Sequence, residues 1–233
     1  MVSIFKKLGP GLLFAGAAIG VSHLVQSTRA GADFGYGLIW ALLLVNIIKY
    51  PFFQFGPRYA MATGESLLEG YKRLGKGILA AYYILNLGTM FTIQAAVTAV
   101  TAGIAARLLG VDANMWVSVI IALFCFAVLW RGRYGWLDKS MKIIVLVLSF
   151  STLVAVLFAL GQNKDVPILQ RLPENTLEWT FLIAFMGWMP GPMDISVWHS
   201  VWAIEKKKIN PSASLTSSLF DFNIGYLVTL VLG

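Results

Sequence analysis

The 233 residues of the chain are 58% hydrophobic and only 12% charged, and their mean hydropathy is +0.75. Soluble domains carry about 25% charged residues, so this composition excludes an ordinary soluble protein and indicates an all-α membrane protein. A net charge of +7 would suit nucleic acid, but most of the basic residues lie in or next to short loops between apolar runs. We therefore expect the lipid bilayer as a partner and no nucleic acid.

Six apolar runs, and the start of a seventh, have about the ~20 residues with which a helix crosses the hydrocarbon core. These spans 1 to 7 are predicted at 8 to about 29, about 36 to 59, 78–109, 115–130, 136–161, 177–204 and from 219 onward. The residues after 219 are too few to complete a crossing. We therefore expect one transmembrane transporter domain, 1–233, that is incomplete at its C-terminus.

Lysine and arginine favour one side of the predicted membrane. They cluster before span 1 and in the loops after spans 2, 4 and 6, whereas the opposite loops hold only Arg107, Lys164 and Arg171, diluted by acidic residues. The positive-inside bias therefore predicts a multi-pass protein of the cell inner membrane with a cytoplasmic N-terminus.

Spans 1 and 6 carry interruptions. Span 1 continues from an apolar run into Gly20, Ser22 and His23, and span 6 reads WMPGPMDISVWHS over 188–200. Two prolines within three residues cannot both lie in an unbroken helix, and lipid does not tolerate the freed backbone groups. Each interruption alone fits a packing helix or a simple kink. As a pair, they predict an inverted-repeat carrier in which residues 20–23 and 189–192 meet as non-helical segments near the midplane.

Four segments carry a family resemblance. LGPGLLFAGAAIG at 8–20, LIWALLL at 38–44, TGESLLEG at 63–70 and the span 6 segment resemble the Nramp family of proton-coupled divalent metal transporters. The likeness extends over essentially the whole chain. It implies a LeuT-like fold of two five-helix inverted repeats, of which this chain would hold the first repeat, span 6 and part of span 7.

The resemblance also implies a site for the transported ion. The family's Asp-Pro-Gly-Asn break in span 1 falls on residues 20–23, so Gly20 replaces the carboxylate ligand and His23 replaces the asparagine. The family's Met-Pro-His-Asn break in span 6 retains Met189 and Pro190, followed by glycine and proline. Substrate contacts are therefore expected at Gly20, Ser22, His23, Met189 and Pro190.

The ligands that remain form a soft set. Met189, a backbone carbonyl of the span 1 break and, by substitution, His23 would suit Fe²⁺, Cu⁺, Zn²⁺ or Ni²⁺ better than Mg²⁺. Asp194 either restores a charge to this set or pairs with a cation on a neighbouring helix.

Two further polar residues lie within the predicted spans. His199 resembles the span 6 histidine that the family associates with proton transfer. Lys49, in the middle of span 2, must reach the membrane interface or find an acidic partner, for which Asp194 and Asp221 are the candidates.

Three functions fit these observations. The first is a proton-coupled metal carrier, and the second is the same scaffold carrying an anionic or small organic solute, because the N–H groups at the span 1 break suit an anion. The third is a membrane component that does not transport. We expect neither an enzyme nor a cofactor, since no catalytic triad pattern, phosphate loop or metal-hydrolase spacing is present.

Overall fold

The computed structural model of the protein describes residues 9–20, 22–112, 114–132, 134–160 and 168–233. All regular structure within these ranges is helical, which confirms the predicted all-α class. The helices are α1 (Pro10–Ala18), α2 (Thr28–Phe34), α3 (Ile39–Thr63), α4 (Leu67–Leu74), α5 (Lys76–Leu109), α6 (Met115–Arg131), α7 (Tyr134–Leu160), α8 (Thr176–Trp188), α9 (Ile195–Ile209) and α10 (Leu215–Leu232), and a π-helical turn (Ser22–Ser27) precedes α2.

Several of these helices can cross a membrane by length and composition. They are α3, α5, most of α7 and α10, and α1 together with residues 22–34 adds a fifth candidate, bent by 44°. Spans 2 to 5 correspond to α3, α5, α6 and α7, although the predicted end of span 5 at residue 161 lies outside the described residues. The LeuT-like inverted repeat stays a prediction.

The division of spans 1 and 6 agrees with the predicted interruptions, but three boundaries differ. Span 1 continues to Phe34 instead of about 29, and span 6 continues to Ile209 instead of 204. Span 7 begins at Leu215 instead of 219 and gives an 18-residue helix, because Ser214 and Ser217 form a capping box before the apolar run. The short helix α4 was not predicted.

The described residues form two compact units. One consists of residues up to 67 and from 138 onward, and it contains α1 to α3, α8 to α10 and most of α7. The other covers 68–137, in which α5 and α6 pack against each other. Both helix breaks belong to the first unit.

The first unit is held together by α9 and α10, because both α1 and α3 pack against these two helices. Phe14 lies at the centre of an aromatic cluster, with the rings of Phe53, Phe222 and Tyr226 at centroid distances of 5.3, 5.6 and 5.8 Å. α1 and α10 approach so closely that a Cβ on Gly225 would collide with the backbone of Gly11. Only glycine permits this contact, which fixes span 7 beside the first half of span 1.

Candidate substrate site at two helix breaks

The break in span 1 separates α1 from the π-helical turn. α1 ends at Ala18, Ile19 and Gly20 are not helical, and the chain is helical again from Ser22. The position of a Cβ on Gly20 has no atom within 4 Å. Ser22 and His23 therefore lie in a π-helical turn and not in a non-helical segment as predicted, whereas Gly20 lies in the break itself. Residue 21 is outside the described residues.

The break in span 6 covers residues 189–194, between α8 and α9. Met189 ends α8, is fully buried, and precedes Pro190 through a cis peptide bond. It packs in an apolar cluster with Val45, Leu182 and Phe185, so α3 and α8 together enclose this side of the break.

The two breaks adjoin. A Cβ built on Gly191 would lie 3.7 Å from the Cβ of Ala18 and 3.8 Å from its Cα. The end of α1 and the non-helical part of span 6 therefore lie so close that a single added Cβ would bring them into van der Waals contact. The expected juxtaposition of the breaks is present in the structure, and their depth in the bilayer stays a prediction.

His23 is buried and bonded through both ring nitrogens. Nε2 lies 2.8 Å from the Thr229 carbonyl oxygen, and Nδ1 lies 2.9 Å from Ser22 Oγ and 3.2 Å from the Ala18 carbonyl oxygen. A carbonyl only accepts, so Nε2 donates to Thr229, and in the neutral ring Nδ1 carries the lone pair. In this tautomer Nδ1 can accept only from Ser22 Oγ, and its approach to the Ala18 carbonyl oxygen is a contact between two acceptors. Nδ1 is therefore the nitrogen available to a ligand, and it lies beside the last residue of α1.

Lys49 does not pair with either acid considered from the sequence. Its ammonium donates hydrogen bonds to the carbonyl oxygens of Met186 at 2.9 Å, Gly187 at 2.8 Å and Met189 at 2.8 Å. The predicted acidic partner was therefore wrong, because the backbone at the end of α8 supplies the acceptors instead.

Asp194 and His199 lie on the other side of the span 6 break. His199 is fully buried, with the rings of Phe14 and Phe222 at 5.7 and 5.5 Å, and neither ring nitrogen has a hydrogen-bond partner among the described residues. Asp194 precedes α9 without a capping bond, and its buried Oδ1 is likewise unpaired within the described ranges. The structure thus gives these two residues no hydrogen-bonded connection to His23 or Lys49 in the described part of the chain.

Two contributions from span 7 were missed. The Thr229 carbonyl binds His23, and the buried Asp221 carboxylate accepts hydrogen bonds from the N–H groups of Gly9 and Gly11 at 2.9 to 3.1 Å. A carboxylate at a helix N-terminus offsets the positive end of the helix dipole. The sequence indicated that Asp221 requires a partner, since it is an acid at the start of an apolar span. It did not indicate that the partner would be the backbone of α1.

A cavity of about 410 Å³ lies at the ends of α1, α9 and α10 farthest from the breaks. Its lining includes Pro10, Lys206 and Asp221 together with serines of the segment that precedes α10. Charged and hydroxyl side chains contribute to this lining, and the cavity lies on the side for which the charge distribution predicts the cytoplasm.

The family comparison agrees with this arrangement. The model of the natural resistance-associated macrophage protein-like (Nramp) family matches residues 11–232. The chain belongs to the Nramp family. Membership in this family, together with the candidate spans, makes it an integral membrane protein with several crossings.

Individual Nramp relatives differ in how much of their length is matched. An uncharacterized protein of Pasteurella multocida (strain Pm70) is 37% identical over 99% of this chain and 54% of its own length. The metal transporter Nramp4 of Arabidopsis thaliana is 28% identical over 69% of the chain and 32% of its own length. The divalent metal cation transporter MntH of Staphylococcus saprophyticus is 30% identical over 66% and 34%. This Nramp chain thus spans about half the length of the first relative and about a third of the other two.

Proposed function

We propose that the complete protein is a secondary carrier that moves a divalent metal ion with proton coupling, and that the ion binds where the breaks of spans 1 and 6 meet. The observation that carries this proposal is the close approach of Gly191 to Ala18, which leaves about the width of one Cβ between the two breaks. Relatives of the chain are named as metal transporters, and paired broken helices are a common way to build a carrier's binding site.

The proposed ligands are His23 Nδ1, the Ala18 carbonyl and the thioether of Met189, with Gly20, Ser22 and Pro190 shaping the breaks. His23 Nδ1 and the Ala18 oxygen are 3.2 Å apart, so one ion could replace their present contact. Within the described residues no group of three histidine, cysteine or acidic side chains could hold a metal. A site with one imidazole, one thioether and carbonyl oxygen favours Zn²⁺, Fe²⁺ or Ni²⁺ over Mg²⁺.

In this proposal protons compete with the metal ion at His23, and the coupling protons use other groups. A metal binds only to the deprotonated Nδ1, so protons compete with the ion at His23 and uptake weakens as the pH falls. His199 and Asp194 are the proposed further members of a proton pathway, because both are buried in part or in full and carry polar atoms with no hydrogen-bond partner among the described residues.

A second candidate is a carrier of a small anionic or organic solute. It is favoured by the cation that Lys49 already places at the span 6 break and by the glycine that replaces the acid at residue 20. A site with a fixed positive charge and no carboxylate in the span 1 break suits an anion better than a dication.

Metal uptake by the complete protein in proteoliposomes distinguishes these candidates. With Zn²⁺, Fe²⁺ and Ni²⁺ offered separately, the metal proposal predicts saturable uptake that is lost in His23→Ala and reduced in Met189→Leu. Gly187→Ala is a matched control, since a Cβ at Gly187 meets no atom within 4 Å. Absence of uptake for all three metals, or a His23→Ala protein as active as wild type, would leave the second candidate.

We propose the cell inner membrane and a cytoplasmic N-terminus for this carrier. With Cys125 replaced by serine, a cysteine at Lys139 should resist an impermeant thiol reagent in intact cells, whereas one at Asp165 should react, because the charge bias of the sequence predicts opposite sides of the membrane for these two positions. Labelling of the Lys139 position from outside would reverse the orientation.

A further inference from the structure

The carbonyls that bind Lys49 lack partners because of the span 6 prolines. In a continuous helix the Met186 carbonyl would accept from the N–H group of residue 190, but that residue is Pro190, which has none. The corresponding donors for Gly187 and Met189 would be residues 191 and 193, which lie in the break. The sequence thus creates three free carbonyl oxygens at one end of α8.

The ammonium of Lys49 satisfies all three. It has three N–H donors, and its three hydrogen bonds measure 2.8 to 2.9 Å, which is the range of charge-assisted bonds. The end of α8 also carries the negative pole of the helix dipole, which attracts a cation. No carboxylate within the described residues forms an ion pair with Lys49 that would compete with these carbonyls.

We propose that Lys49 is a built-in cation that fills a carbonyl site at the span 6 break and excludes free cations from it in this conformation. Three converging backbone oxygens at a helix C-terminus are the type of site that broken helices offer to monovalent coupling ions. Here the cation is the ammonium group of a span 2 side chain, so it links α3 to the end of α8 and no ion from solution is needed. The inference goes beyond the proposed function, since it holds whichever solute the carrier moves.

Removing the ammonium should expose a cation site. Methionine ends one atom short of the lysine nitrogen, so Lys49→Met retains most of the side-chain volume and vacates the position between the carbonyls. We expect K⁺ or NH₄⁺, which are similar in size to the lost ammonium group, to bind there. Binding should raise the unfolding temperature of the purified complete variant by about 3 °C or more, saturably, relative to choline at equal ionic strength.

Two controls isolate the site. Wild-type protein should show no difference between K⁺, NH₄⁺ and choline, because its own ammonium occupies the carbonyls. Lys207→Met should also show none, since Lys207 Nζ reaches only one carbonyl, that of Met61, at 3.4 Å. Lys49→Ala, which opens more space, should respond at least as strongly as Lys49→Met.

Equal unfolding temperatures in K⁺, NH₄⁺ and choline for both Lys49 variants would overturn the inference. So would failure of both variants to fold in NH₄⁺ as well as in choline, because a free cation should then have replaced the missing one. Neither result depends on metal uptake, so this test and the test of the proposed function can fail separately.

Discussion

The chain contains two histidines, and the structure predicts opposite effects of replacing each with phenylalanine. His23 bonds through both ring nitrogens, whereas His199 lies between two phenylalanine rings with both nitrogens unpaired within the described residues. Both side chains are buried, at 5% and 0% exposure. Comparing the two substitutions therefore separates the contribution of the hydrogen bonds to stability from the contribution of burial.

The expected magnitudes follow from the contacts. His23→Phe removes the hydrogen bond to the Thr229 carbonyl and the one at Nδ1. At about 1 kcal/mol for each nitrogen, the free energy of unfolding falls by about 2 kcal/mol. For a chain of this length this corresponds to a fall of roughly 4 to 8 °C in the unfolding temperature. His199→Phe loses no bond and removes a desolvation penalty of about 1–3 kcal/mol, partly offset by the larger ring. Its unfolding temperature should be equal to or above that of wild type.

The assay is thermal unfolding in detergent, followed by intrinsic tryptophan fluorescence, for wild type and both variants of the complete protein. A fall for His199→Phe as large as that for His23→Phe would refute the reasoning, because it would mean that burial and not hydrogen bonding sets the cost. Uptake by the His199→Phe protein then tests its proposed place in the proton pathway apart from stability.

Two further predictions concern the backbone around the breaks. Gly225→Ala should prevent stable folding, measured as loss of monodisperse protein in detergent, because the new Cβ would collide with the backbone of α1; Gly103→Ala, where a Cβ meets no atom within 4 Å, should fold normally. Restoring the family's acid and amide with Gly20→Asp and His23→Asn should strengthen Mn²⁺ binding in calorimetric titration, since oxygen ligands replace an imidazole and the Gly20 position is open. Unchanged Mn²⁺ affinity would contradict this placement of the site.

The break in span 6 could be predicted because its cause is local. Pro190 and Pro192 remove backbone donors wherever they occur, so the interruption follows from residue type alone. The break in span 1 was also located, at Gly20, but its continuation as a π-helical turn was not, because Ser22 and His23 are compatible with several backbone geometries. The capping box that starts α10 was present in the sequence, but it precedes the apolar run on which the prediction of span 7 was based, so the predicted start was too late.

The partners of the buried polar groups could not be predicted, since they are backbone atoms. Lys49 was expected to seek a carboxylate, and Asp221 was considered as that carboxylate, yet both bind the main chain at helix ends. The Thr229 carbonyl opposite His23 is of the same kind. A charged or polar residue in a membrane span shows that its side chain requires a hydrogen-bond partner. Which backbone atom becomes that partner depends on where the helices end and on which helix ends lie next to each other.

A disulfide between the two breaks tests the central claim most directly. With Cys125 replaced by serine, cysteines at Ala18 and Gly191 should form a disulfide on mild oxidation, because their Cβ positions are 3.7 Å apart and a disulfide joins Cβ atoms at about 3.8 Å. The new Cβ at residue 191 would lie 2.7 Å from Ile195 Cδ1, so the end of that flexible side chain must shift to admit it. A pair at Ala18 and Gly187 is the matched control, since a Cβ at Gly187 meets no atom within 4 Å. The measurement is solute uptake by the complete double-cysteine protein before oxidation, after oxidation and after reduction. The account predicts a cross-link that abolishes uptake and a full return on reduction; no cross-link, or undiminished uptake by cross-linked protein, would contradict a substrate site between the breaks.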